Sequence, residues 1–355
     1  MKILFISLSG AGDVLMSTPL AKEIKLNYPN SEVHYLVMQE AVARDILNGT
    51  PYINKIIYFN FAKGGIIKSL ALCSKLKREK YDISITTYPQ ARYYYSIISY
   101  LIGAKQRVGF DYQTQRAKLN KLFFNRIVEE NFNIHVVENN LNVLKEFGLK
   151  KISNKIETLL YISRKDSEFA TSFLKKNKID KFAVIHAGSG ITKNFHLKRW
   201  PKENFSILCK NLSQLGLKII LVGGPEEIPL NKGIIKTSEL KENKDIFILN
   251  ADVKKSSAII KRAKATISGD TIVGHIAAAV NTPVICLFGP TSWENTAPFT
   301  DKRVILSKRP ENVRPYYHGR KSITLEQAKY MNEISVEEVT RAVRKILKET
   351  RSIFK

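Results

Sequence analysis

Two short stretches of this chain carry residue types that could do chemistry. Ser9-Gly10-Ala11-Gly12-Asp13 follows an apolar run at the start, and Ser268-Gly269-Asp270-Thr271 lies in the second half, ahead of Phe288-Gly289-Pro290-Thr291. Each reads as strand, small-residue loop and helix, with an aspartate at the helix mouth. Gly10 and Gly12 let the chain turn tightly and bring backbone N–H groups toward a ligand. Asp13 serves either as an ordinary helix N-cap or as a general base at the strand ends. A helix N-terminus keeps such a carboxylate ionised while weakening it as a base. In the second stretch the helix mouth is an anion site. Asp270 cannot itself hold phosphate, because like charges repel, so it suits sugar hydroxyls or a cap.

Two further strand-to-loop junctions complete the set. His186-Ala187-Gly188-Ser189-Gly190 leads to Leu197-Lys198-Arg199-Trp200-Pro201. Backbone donors around Gly188, the Ser189 hydroxyl and the charge of Lys198 or Arg199 would suit a diphosphate. Gly223-Gly224-Pro225-Glu226-Glu227 places an acid just past a strand, where Glu226 or Glu227 could accept two ribose hydroxyls. His275 lies among small apolar residues, a packed position on the helix after Asp270, and Gly289 to Thr291 could close a base pocket. Two half-sites of this kind, facing each other, are what an enzyme needs to hold an anionic nucleotide donor against an acceptor.

The elements that must position these residues follow from hydrophobic period. Lys2–Ser7, Glu32–Val37, Lys55–Phe59 and Ile83–Thr87 read as strands. They alternate with helices at Asp13–Leu26, Ala41–Asn48 and Lys68–Arg78, and His135–Phe147 is a further helix. The pattern restarts with strands at Phe182–Ile185, Ile219–Val222, Ala265–Ser268 and Val284–Phe288 and a helix at Phe205–Leu215. Strand–helix alternation implies parallel sheets wrapped by helices. The expected division is 1–160, 161–334 and a terminal helix 335–355 that packs back across the domains, opened by the capping box Ser335-Val336-Glu337-Glu338.

At 355 residues and 44% hydrophobic the chain can build two cores. Cys73, Cys209 and Cys286 are widely spaced and form neither a metal pattern nor a disulfide framework, as in a reducing cytosol. The apolar start breaks into a glycine loop, which favours a buried first strand over a signal peptide. No apolar run is long enough to span a membrane. The net charge of +25 is concentrated: residues 75–126 hold 11 Lys/Arg against 3 Asp/Glu, and residues 341–355 hold 6 against 1. Such surfaces attract nucleic acid, anionic lipid or phosphorylated substrates. There is no G-x-x-x-x-G-K-[ST], no D-x-D placed for a metal–diphosphate and no zinc spacing. A diphosphate would then be neutralised by helix ends and cations.

SLSGAGDVLMSTPL, His135-Val136-Val137-Glu138-Asn139-Asn140, LKRWP and SGDTIVGHIAAAVNTPVICLFGPT occur in this order over nearly the whole chain. Together they resemble the lipopolysaccharide heptosyltransferases of glycosyltransferase family 9. The resemblance implies a GT-B architecture, two doubly wound Rossmann-like α/β domains facing across a cleft. It implies metal-independent, inverting transfer of a heptose from ADP-heptose onto the lipopolysaccharide or lipooligosaccharide inner core, with no cofactor. Asp13 and Lys198 then resemble the catalytic residues. Gly188, Ser189, Glu226, Asp270, Thr271, His275, Gly289 and Thr291 fall on the donor side. Gly10, Gly12, Arg92 and Arg107 fall on the acceptor side, toward an anionic glycolipid. The implied setting is cytoplasmic, with peripheral contact at the inner face of the membrane, no nucleic acid partner and a monomer. The chain departs from many members at Ile272-Val273-Gly274, where they have Gly-Pro-Met, and has no cysteine near Arg314-Pro315-Tyr316-Tyr317, where some do. Another nucleotide-sugar donor is one alternative. A nicotinamide-dependent oxidoreductase, from Gly10, Gly12 and Glu40 without a third glycine, is another, and a non-catalytic basic binding protein is a third.

Overall fold

The structure, a computed structural model, describes residues 1–112, 120–190, 192–313, 315 and 323–352, with the side chains of 41–43, 192–194 and 350–352 left aside. Arg314, Tyr316 and Tyr317, and part of each basic stretch, lie outside the described residues. The chain divides into two compact units, Met1–Tyr161 and Ile162–Lys355.

The first unit runs β1 (Lys2–Ser7), α1 (Ala11–Asn27), β2 (Glu32–Val37), α2 (Glu40–Leu47), β3 (Lys55–Tyr58), α3 (Phe61–Arg78), β4 (Ile83–Thr86), α4 (Tyr93–Ile102), β5 (Gln106–Asp111), β6 (Arg126–Glu129) and α5 (Val136–Leu141). Its six strands pair in parallel in the order β3-β2-β1-β4-β5-β6. The central strands are buried along nearly their whole length, β1 as a near-continuous apolar run and β4 with Ser84 and Thr86 buried alongside its isoleucines, as expected where helices cover both faces. The helix expected over His135–Phe147 tightens after Leu141 into a 3-10 segment, Asn142–Phe147, which ends at left-handed Gly148.

The second unit repeats the plan. It contains α6 (Arg164–Lys176), β7 (Phe182–His186), α7 (Lys202–Gln214), β8 (Lys218–Val222), α8 (Ile228–Ser238), β9 (Ile246–Leu249), α9 (Val253–Ile260), β10 (Ala265–Gly269), α10 (Ile272–Ala279), β11 (Val284–Phe288), α11 (Trp293–Thr296), β12 (Arg303–Ser307), α12 (Leu325–Asn332) and α13 (Val336–Ser352). The strand order is β12-β11-β10-β7-β8-β9, again all parallel.

Ser335 and Glu338 close a capping box, Glu338 N donating to Ser335 Oγ at 3.2 Å and Ser335 N to Glu338 Oε2 at 3.0 Å. The apolar stripe of α13 (Val336, Val339, Val343, Ile346) is buried in the same core as Phe205, Leu208 and Leu212 of α7. Trp200, 3% exposed, donates its indole N–H to Ile334 O at 2.9 Å, so the Lys-Arg-Trp-Pro segment is pinned at the foot of α13.

In each sheet the chain starts in the middle, winds outward one way and returns to wind the other. The reversal falls between β1 and β4 in the first unit and between β7 and β10 in the second. At such a point the two neighbouring loops diverge and leave a crevice at the carboxyl ends of the strands, the usual ligand position in open α/β sheets.

Candidate functional site

At the reversal point of the first sheet, the loop from β1 reaches α1 through Leu8, Ser9 and Gly10. Asp13, half-buried, is the third residue of α1. Its Oδ2 accepts from Gly10 N at 3.1 Å, which orients the carboxylate over the helix start. The loop is fixed from the other side by Gln90, 2% exposed. Gln90 Oε1 accepts from Leu8 N at 2.8 Å, and its Nε2 donates to Ile6 O at 2.6 Å and to Thr87 O and Oγ1 at 2.9 Å. Sequence reasoning passed over Gln90, because a glutamine in a loop carries no signal until its neighbours are known.

A line of hydroxyls runs beside this loop. Arg92 donates to Tyr94 Oη at 2.9 Å, Tyr94 to Tyr95 Oη at 3.3 Å, and Tyr95 to Leu8 O at 3.4 Å. Burial first, then Tyr94 and the nearby charge of Asp13, push the Tyr95 hydroxyl up. Arg92, at the start of α4, therefore shares the carboxyl edge with Asp13. Arg107 does not. It sits near the amino end of β5, paired with Ser84, and Ser84 lies level with Leu4 of β1. At about 3.3 Å per residue that is roughly 10 Å before the strand ends. Its guanidinium is committed to Phe123 O at 2.9 Å and Ala104 O at 3.0 Å. Glu40 forms an exposed ion pair with Arg44 on its own helix, at 3.2 Å.

The His135–Asn140 segment acts structurally. His135 caps α5, accepting from Val137 N at 3.1 Å, and Glu138 accepts from His135 N at 3.2 Å. Asn140 brackets the backbone of Tyr88, accepting from its N–H at 2.9 Å and donating to its carbonyl at 3.1 Å. That segment leads straight into Gln90, so α5 holds the strap that holds the Asp13 loop.

In the second unit three loops meet through one imidazole. His186, the last residue of β7 and 5% exposed, faces Thr271 Oγ1 with Nδ1 at 2.9 Å and Glu227 Oε2 with Nε2 at 3.2 Å. Thr271 stands at the N-cap position of α10, where its hydroxyl turns to Ser268 Oγ at 2.8 Å and to His186 rather than to the helix amides. Glu227 also accepts from Gly224 N at 2.9 Å, the same relation that Asp13 has to Gly10. Burial opposes the charge of Glu227, but the hydrogen bond and charge of His186, Gly224 N and Arg199 outweigh it and hold the carboxyl low. Gly188 is required by this arrangement, since a Cβ there would lie 1.5 Å from Glu227 Oε1. Of the two acids considered, Glu227 is therefore turned inward and bonded, while Glu226 stays exposed on the loop.

Beside this network Lys198 and Asp270 form a pair whose side chains are 11% and 14% exposed. Lys198 Nζ donates to Asp270 Oδ2 at 3.0 Å and to Asp270 O at 2.8 Å, and stands 4.7 Å over the Phe195 ring. Burial works against the Asp270 charge. The Lys198 ammonium, then His275, the Lys198 hydrogen bond and the Thr291 hydroxyl outweigh it, and the carboxyl is held below its ordinary range. Asp270, Thr271, His275 and Lys198 are thus brought together at the start of α10.

Ser189 is occupied differently from a phosphate donor. Its hydroxyl donates to Phe195 O at 2.8 Å and accepts from Arg199 Nε at 3.0 Å, and Arg199 also donates to Ser189 O at 2.8 Å. The pair clasps the 3-10 segment Thr192–Lys198 that delivers Lys198. Gly289 has a packing reason of its own, because a Cβ there would fall 2.8 Å from Met331 Cβ and 3.0 Å from Met331 N on α12.

Residues 69–324 match the family model for glycosyltransferase family 9 (heptosyltransferase). Lipopolysaccharide heptosyltransferase 3 of Escherichia coli K12 is 27% identical over 350 residues, covering 95% of this chain and 96% of that protein. Lipooligosaccharide heptosyltransferase 2 of Haemophilus influenzae is 28% identical, with 86% of this chain and 88% of that protein covered. Among solved structures, the family 9 glycosyl transferase from Veillonella parvula superposes with a TM-score of 0.82 at 20% identity, over 98% of this chain and 97% of that one. E. coli heptosyltransferase WaaC with ADP-2-deoxy-2-fluoro heptose superposes with a TM-score of 0.73 at 20% identity, over 97% and 99%. These likenesses establish the α/β fold of both units.

Proposed function

This chain belongs to glycosyltransferase family 9, and on that premise we propose that it moves a heptose from ADP-heptose onto the inner core of a lipopolysaccharide or lipooligosaccharide, inverting the anomeric centre without a metal. The observation that carries this reading is the meeting of Lys198, Asp270 and Thr271 at the mouth of α10, at the reversal point of its sheet. A largely shielded cation beside a helix start suits a diphosphate, and a carboxylate kept ionised beside it suits sugar hydroxyls.

In the transfer, Asp13 takes the proton of the acceptor hydroxyl as its oxygen attacks the anomeric carbon. The bond from that carbon to the β-phosphate oxygen breaks, and its electron pair leaves with ADP. Lys198 and the α10 amides stabilise the departing charge, a contact whose loss typically costs about 10²–10³ in rate. Glu226, exposed at the end of β8, takes the ribose, while Glu227 and His186 set the loops around it. Arg92 and its tyrosines meet anionic groups of the acceptor. The protein works as a monomer on the cytoplasmic side, in peripheral contact with the membrane. Among the described residues no helix is long and apolar enough to cross it.

Calorimetric titration with ADP, UDP, GDP and NAD in the presence of EDTA tests the donor. ADP is expected to bind alone. A preference for UDP or GDP would change the sugar class, and binding of NAD alone would overturn the transferase reading. For the base, Asp13→Asn is expected to keep ADP affinity within about twofold and to lose about 10²–10⁴ in turnover. Near-normal turnover by that variant would remove Asp13 from the chemistry.

A further inference from the structure

The start of α3 presents an apolar knob that the core does not use. Asn60 Oδ1 accepts from Ala62 N and Lys63 N at 3.1 Å, and Asn60 O accepts from Gly64 N at 2.8 Å, which closes a tight turn. Phe59 packs against this turn so closely that a Cβ on Gly64 would lie 2.4 Å from its ring, and Phe59 meets Phe61 edge to face at 4.8 Å. Gly65, at φ 71°, then redirects the chain, and the helix resumes with Ser69 Oγ donating to Gly65 O at 2.7 Å. Cys73 and Leu76 carry the inward face, each 3% exposed. Ile66, 79% exposed, and Leu70, 49% exposed, stand at i and i+4 ahead of Cys73 on the same helical stripe, and Ile67, 84% exposed, lies beside it. The apolar stripe that packs inward at Cys73 therefore runs on into solvent at this end of the helix, where a solvated surface is ordinarily polar.

Its charge is one-sided as well. No Asp or Glu occurs between Asp45 and Glu79, while Lys63, Lys68, Lys75, Lys77 and Arg78 fall in that interval, beside Lys55, which is paired with Glu79 at 3.1 Å. Lys63 and Lys68 bracket the two isoleucines. From these observations we infer that the Lys63–Leu70 knob docks on an anionic bilayer surface. Ile66 and Ile67 enter the boundary between head groups and acyl chains, and Lys63 and Lys68 lie among the lipid phosphates. A second copy of the chain is a poor occupant, because each copy carries +25 and the patch would face its own cations. A protein partner would seat its anchors in pockets. The two isoleucines instead stand almost fully in solvent beside the break at Gly65, and a bilayer accepts such side chains without shape complementarity. This inference gives the peripheral contact proposed above a definite surface, and it does not depend on the donor or acceptor chemistry.

The test is co-sedimentation of the full chain with vesicles of phosphatidylcholine, with and without phosphatidylglycerol. The wild type is expected to partition onto the anionic vesicles and to release as salt is raised. Ile66→Ser with Ile67→Ser should cut that partitioning tenfold or more, and Lys63→Gln or Lys68→Gln by about fivefold each at low salt. Thermal melting and ADP affinity should stay at wild-type values in all of these, since the side chains are exposed and lie outside the nucleotide site. Wild-type vesicle binding by the isoleucine variant would overturn the assignment, as would equal binding to both kinds of vesicle. A wild-type dimer in light scattering that the isoleucine variant dissolves would give the face to a second copy instead.

Discussion

Glu226 and Glu227 are adjacent and chemically identical, yet their substitutions should have different consequences. Glu227 holds His186 and Gly224 N from a buried position, so Glu227→Ala leaves the buried His186 Nε2 and the half-buried Gly224 N–H without this acceptor. A loss of about 2–4 kcal/mol in unfolding free energy is expected, against less than about 0.5 for Glu226→Ala, as read by urea titration. Equal effects would show that the inward turn of Glu227 is not maintained in solution. The Lys198–Asp270 pair leads to a statement about acid. Because Asp270 has its carboxyl held below the ordinary range, the folded state binds that proton more weakly than the unfolded state does. Its stabilisation is complete above about pH 4, the unfolded value, and is lost as pH falls through the lower folded one. Lys198→Met removes the main opposing charge, and that acid-labile stabilisation should go with it. Scanning calorimetry of the variant should show a melting temperature less dependent on pH in the acid limb, and a loss of about 3 kcal/mol at neutral pH from the stranded carboxylate.

At the scale of elements, both sheets solve one problem in the same way. Loops that diverge at the reversal point would wander unless something ties them, and in each unit a buried polar side chain does so. Gln90 ties the β1 loop to the end of β4, and His186 ties the β8 and β10 loops to the end of β7. In each case an acid three residues into the next turn folds back on a glycine N–H. Gln90→Leu keeps the volume and removes the tie. The Asp13 loop should then loosen, with kcat falling about tenfold or more while KM for the nucleotide-sugar stays within about twofold. Gln90→Glu, which keeps an acceptor for Leu8 N but loses the donors, should fall between the two. An unchanged kcat in Gln90→Leu would mean that Gly10 N alone positions Asp13. Gly289 sets a different constraint, because α12 passes over it with no room for a Cβ. Gly289→Ala is expected to cost about 1–3 kcal/mol through displacement of Met331, measured by urea titration.

Across the whole molecule, the alternating pattern was enough to read two parallel sheets, because short, mostly apolar strand-length runs alternate with helix-length amphipathic segments. The sheet edges were less legible. Gln106–Asp111 and Arg126–Glu129 carry charge at both ends and only a few buried residues between, so nothing in their pattern separates them from loop. At Gly64-Gly65 a short helical turn from Phe61 breaks at non-helical Gly65, and the helix that follows begins close to the expected Lys68. Residue types at the candidate site were legible, whereas pairings were not: Lys198 and Asp270 are 72 positions apart, and only the strand order brings them together. Register also decides the fate of the two arginines, placing Arg92 at the carboxyl edge and Arg107 near the other end. The division into two units makes one further expectation testable by hydrogen exchange. If the nucleotide belongs to the second unit, ADP should slow exchange at residues 186–190, 223–227 and 269–275, the loops joined through His186 and Asp270, and leave residues 8–13 and 87–92 at their free rates. Asp13→Asn should reproduce that pattern while turnover is lost, because in the proposed transfer its carboxylate acts on the acceptor alone. Slowing confined to residues 8–13 would reverse the assignment and make the first unit the nucleotide carrier.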